Sequence, residues 1–108
     1  MGEFSVSEMK EMQRQLQEKY KDKWEGVAPE IGQNKLLWMI GEIGEVIDII
    51  KQNGSAPIME APAIRSHFVE EMADVLMYYN DVLLCFDISQ EELKQAYTEK
   101  FHRNMARW

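Results

Sequence analysis

The sequence is short of cysteine, proline and positive charge. Its single cysteine, Cys85, leaves no internal disulfide framework and fits a reducing compartment. Three prolines in 108 residues leave long stretches free to be helical. No apolar run approaches the roughly 20 residues of a membrane span. Met1 to Lys10 carries no basic-then-apolar leader, so the chain is expected in the cytoplasm, neither exported nor membrane-bound. Twelve Lys and Arg face nineteen Asp and Glu, a formal net charge of −7. That shortage of cations argues against a broad basic surface for nucleic acid or anionic lipid. It leaves room for a small anionic substrate, because acids that hold a divalent cation reverse the field locally. The sequence also lacks a glycine-rich phosphate loop, an alternating strand pattern, an internal repeat and any low-complexity tract.

What remains is globular and helical. The residues are 45% hydrophobic and 29% charged, and the length suits a single domain over residues 1–108. Ser5 or Ser7 can cap a first helix of about five turns, with Met9, Met12, Leu16 and Tyr20 as its one narrow apolar stripe. Gly26, Pro29 and Gly32 make a loop. A second helix is expected from Gln33 to Gln52, with Leu36, Ile40, Ile43, Ile47 and Ile50 as its core stripe. Val46 and Ile49 fall on the side of Glu42 and Glu45. Asn53-Gly54 stops it, and residues 55–66 read as a loop with at most a short helical turn near its end. A third helix runs from Ser66 or His67 to Phe86, its core stripe being Val69, Met72, Leu76, Tyr79 and Leu83. Ser89 opens a fourth through a capping box with Glu92. This last helix reaches about Met105, with Leu93, Tyr97, Phe101 and Trp108 on its apolar side.

Two acid pairs stand out. Glu42 and Glu45 lie three apart in the second helix, and Glu71 and Asp74 three apart in the third. Residues at that spacing share a helix face, so each pair is a two-carboxylate claw. Both claws abut apolar stripes, where uncompensated charge is costly. Helices joined by one connection are antiparallel neighbours, so the claws can face one another. Four carboxylates around one point make an all-oxygen site suited to Mg²⁺ or Mn²⁺ and unsuited to structural zinc. Such a metal commonly takes substrate phosphates in its open positions. Lys100, Asn104 and Arg107 at i, i+4, i+7 can supply donors to phosphates. Lys35 is a further phosphate candidate, Trp38 can stack on a base, and Tyr78 can orient a carboxylate or meet the sugar.

The run Lys35-Leu-Leu-Trp-Met-Ile-Gly-Glu-Ile-Gly-Glu-Val46, then Glu70-Glu-Met-Ala-Asp-Val-Leu76, then Lys100, Asn104 and Arg107, resembles the MazG-like all-α nucleoside triphosphate pyrophosphohydrolases. The resemblance spans roughly residues 20–107. It implies a four-helix core assembled as a homodimer or homotetramer, its site often completed across subunits. It implies Mg²⁺-dependent cleavage of a nucleoside triphosphate to the monophosphate and pyrophosphate. Glu42, Glu45, Glu71 and Asp74 would be the metal ligands and catalytic carboxylates, and Lys100, Asn104 and Arg107 the late phosphate-side residues. Gly41 stands where many members carry a further Glu. That departure favours the rival reading, a non-catalytic helical module that binds nucleotide or a partner protein through the same groove.

Overall fold

The computed structural model describes residues 3–107. Ser5 caps the first helix, α1 (Val6–Lys19), by accepting the Glu8 N–H on its Oγ at 3.2 Å. The helix ends at Lys19, short of the five turns expected, because Tyr20 takes up the capping conformation. A 3-10 turn at Pro29–Ile31 leads into α2 (Gly32–Asn53). Gly32 is required there: a Cβ would run into the Phe86 ring. Gly54 ends α2 with φ +80°, a conformation that favours glycine.

Residues 55–66 are not a loop. They form α3 (Ser55–Glu60) and the first turn of α4 (Pro62–Cys85). Both prolines read as breakers sit in first turns, where a helix leaves its N–H groups unpaired in any case. Among the described residues there are therefore five α-helices and no strand, where four helices were expected. Ser89 opens α5 (Gln90–Arg107), its Oγ accepting the Glu92 N–H at 3.1 Å. Trp108 lies outside the described residues. No described helix is long and apolar enough to cross a membrane.

The antiparallel pair α2 and α4 is the main packed unit; α1 lies on α4, and α3 bridges α4 and α2. The chain core is small: Val46, Ile49, Ile58, Leu83 and Cys85. Here the structure corrects the sequence reading. Of the third helix's expected core stripe only Leu83 is buried, and all five stripe residues of α2 are at least 39% exposed, Ile40 reaching 62%. An α-helix buries the side its partner covers. Against α4 that side is Val46 and Ile49, with Lys35. On α1 the buried row is polar, Lys10, Gln13 and Gln17. Lys10 Nζ donates to the Ile88 carbonyl, and the Ser7 N–H donates to Gln90 Oε1 at 2.8 Å. These two bonds tie α1 to the turn after α4 and to the first residue of α5. Beyond that turn α5 packs extensively on no other described helix, and Tyr97, Phe101 and Met105 are exposed.

Candidate active site

Burial of Val46 and Ile49 against α4 turns the neighbouring face of α2 towards the same helix. Glu42 and Glu45 follow from their place on that face, one turn apart. From α4, Glu71 meets them. Glu42, Glu45 and Glu71 each offer a carboxylate oxygen, and these oxygens lie within 4.8 Å of one another. Asp74 lies outside that trio but shares a cavity wall with Glu42.

The trio concentrates negative charge in partly closed-off surroundings. Glu42 Oε2 and Glu71 Oε2 are closed off from solvent and have no hydrogen-bond partner. The Glu42 carboxyl is pushed up to about 7, first by burial, then by its hydrogen bond to Glu45 and by repulsion from Glu45, Asp74 and Glu71. Glu71 is also raised, by burial, a hydrogen bond to Glu45 and the charges of Asp74 and Glu45; His67 opposes the shift. The donor set is all oxygen, two of its residues carry an orphaned oxygen, and it fits a hard divalent ion.

Through Glu42 the trio adjoins a cavity of about 460 Å³ between α1, α2 and α4, whose wall also includes Asp74, a size typical of small-molecule sites. Trp38 and Tyr78 line it, as does Lys35. Burial raises the Tyr78 hydroxyl pKa, and so do the charges of Glu42, Asp81, Asp74 and Glu45. Lys35 is buried, with Nζ 3.9 Å from Glu25 Oε1 and 3.9 Å from Asp81 Oδ2. Lys100, Asn104 and Arg107 do not line the cavity. Asn104 nonetheless has its Oδ1 closed off from solvent without a partner.

Among the lining residues that the sequence reading did not single out are Gln13, Gln17, Trp24 and Asp81. Asp81 had a signal, since it continues the row Glu71, Asp74, Tyr78 at helical spacing. Trp24 stacks on Tyr20 with ring centroids 4.7 Å apart, its backbone N–H bonded to the Tyr20 carbonyl at 2.8 Å; it continues the four-residue step from Leu16 to Tyr20 one turn beyond the end of α1. Gln13 and Gln17 sit among Lys and Glu and look like a solvated face.

An all-helical scaffold with a glutamate cage at the edge of an aromatic-walled cavity suits a divalent cation together with an anionic ligand. Residues 30–107 match the MazG nucleotide pyrophosphohydrolase domain, most of the chain, and the protein belongs to that family. No curated protein and no solved structure matches it.

Proposed function

We propose that the protein hydrolyses a (deoxy)nucleoside triphosphate to the monophosphate and pyrophosphate with Mg²⁺, Mn²⁺ being an alternative ion. The observation that carries this reading is the glutamate trio, two of whose oxygens are closed off from solvent and unpartnered, with Glu42 in the cavity wall. Glu42, Glu45 and Glu71 hold the ion, with Asp74 completing the set. When bound, the ion supplies Lewis-acid polarisation of a phosphoryl oxygen and neutralises charge on the pyrophosphate. Water attacks the α-phosphorus, and the carboxylate set accepts its proton. Tyr78, one turn from Asp74, orients that carboxylate. Trp38 offers a face to the base.

The phosphate-side donors come from a second copy of the chain. Lys100, Asn104 and Arg107 lie on α5, which stands away from the other helices of its own chain. In a homodimer or homotetramer, α5 of one copy brings them to the cavity of another, where they stabilise the leaving pyrophosphate. The reading is tested by incubating the protein with a panel of canonical and modified nucleoside triphosphates and Mg²⁺, and measuring monophosphate and pyrophosphate. Turnover of at least one substrate is expected, falling at least about a hundredfold in Glu42→Ala/Asp74→Ala. No turnover of any substrate, or an unimpaired double variant, overturns it. Nucleotide binding without hydrolysis would instead support the non-catalytic module.

A further inference from the structure

The cavity has a second charged place, apart from the glutamate trio. Asp81 lies seven residues beyond Asp74 on α4, and Lys35 seven residues before Glu42 on the antiparallel α2. Each is about 10 Å along its helix from those carboxylates. Asp81 is 3% exposed and Lys35 6%, and both line the cavity. Gln17 of α1 donates Nε2 to Asp81 Oδ1 at 3.1 Å, and Gln13 places a second side chain against the same carboxylate. Lys35 Nζ stands 3.9 Å from Asp81 Oδ2 and 3.9 Å from Glu25 Oε1.

A buried ammonium–carboxylate pair that serves only the fold closes to about 2.8 Å, where its hydrogen bonds offset the desolvation of both charges. This pair stands open, too wide for a hydrogen bond. The three N–H groups of Lys35 are therefore unused. Nζ is not among the unpartnered atoms closed off from solvent; it is reached from the cavity that Lys35 lines. An incoming ligand meets free donors beside a carboxylate acceptor. Two carboxylates outweigh the one ammonium, so this place repels phosphate. The group that fits it is neutral and carries an acceptor next to a donor.

We propose that Lys35 and Asp81 read the hydrogen-bonding edge of the nucleobase. Lys35 donates to a ring nitrogen or carbonyl oxygen of the base, and Asp81 accepts from the neighbouring N–H or amino group. Each canonical base carries an acceptor beside a donor on its Watson–Crick edge. Trp38, one turn beyond Lys35 on α2, and Trp24, held by its stack on Tyr20, offer aromatic faces to the ring. The sugar and phosphates then extend along the cavity towards Glu42 and Asp74. Gln13 and Gln17 lie on α1, outside the matched residues 30–107, so the carboxylate that meets the base is held by a part of the chain that the family match does not cover.

Lys35 and Asp81 have this role only if the nucleotide reading of the site holds, and the two are tested apart. The natural triphosphate hydrolysed best with Mg²⁺ is compared with one whose base is an apolar isostere lacking the edge: benzimidazole for a purine, difluorotoluene for a pyrimidine. The wild type is expected to favour the natural base in kcat/KM by about tenfold or more, because the isostere leaves buried polar groups unpaired. Lys35→Met/Asp81→Leu is expected to bring that ratio within about threefold of unity. If no triphosphate is hydrolysed, the proposed function fails and this role with it. If the natural triphosphate is hydrolysed and its isostere equally well, only the base reading fails. A double variant that keeps the wild-type ratio assigns the pair to the fold and overturns the proposal. Should the double variant not fold, Asp81→Asn, which keeps the shape of the side chain, is expected to lower the ratio at least about threefold; an unchanged ratio there overturns the proposal too.

Discussion

At the scale of single residues, Glu42 is where chemistry and stability meet. Its carboxyl is raised from an ordinary 4.5 to about 7, so the folded chain binds this proton more tightly than the unfolded chain does. The proton stabilises the fold fully below the unfolded value and ceases to do so as pH rises through about 7. The metal-free protein should therefore melt at a lower temperature at about pH 8 than at about pH 5.5. A divalent ion replaces the missing positive charge, so Mg²⁺ should raise the melting temperature more at about pH 8. Thermal melts with EDTA or Mg²⁺ at the two pH values read both effects, and Glu42→Gln should diminish both. An equal Mg²⁺ shift at the two pH values would remove the cage from consideration as the binding site. The acids of the cage were legible in the sequence because charge within an apolar helix is rare and three-residue spacing has one geometric meaning. Gln17 was not, because a glutamine on a polar helix gives no sign of what lies across from it; only the buried Asp81 gives it a task.

At the scale of elements, α2 carries most of the design. Its bounds were read to within a residue at each end, since Gly32 and Gly54 mark them for independent reasons: a close approach to Phe86 and a positive φ. The 55–66 segment was misread because proline was taken as a breaker regardless of position. Pro62 begins a helix, and Pro57 falls within the first turn of another, where its missing N–H breaks no helical bond. Gly41 is a third case. A Cβ there would meet nothing within 4 Å, so its glycine is required by neither packing nor backbone conformation within the chain. Gly41→Ala should stabilise the protein by about 1 kcal/mol through helix propensity alone. The increase is readable as a higher denaturant midpoint at unchanged slope. A lower midpoint would mean that another copy or a ligand packs against that position.

At the scale of the whole molecule, the chain does not bury what its sequence marks for burial. Among the described residues no large side chain is fully buried, and the radius of gyration is 16.3 Å, against about 13 Å for a compact chain near this length. α5, which follows the Ile88 turn, packs extensively on no other described helix. Periodicity identified Leu36, Ile40, Ile43, Ile47 and Ile50 as an apolar face, but it cannot say whether the cover for such a face is the same chain or another. This stripe, Val69, Met72 and Leu76 of α4, and Tyr97 and Phe101 of α5 are all exposed, the kind of apolar surface that marks an interface. A second copy can cover the α2 and α4 stripes while its α5 supplies Lys100 and Asn104 to the cavity. The solution mass measured by light scattering should therefore be at least twice that of one chain. Ile40→Asp/Ile47→Asp should shift it towards the monomer and lower triphosphate turnover at least about tenfold, although neither residue lines the cavity. A wild type that is monomeric at micromolar concentration, or a monomeric double variant with full activity, would mean that each chain's cavity works without a partner's α5.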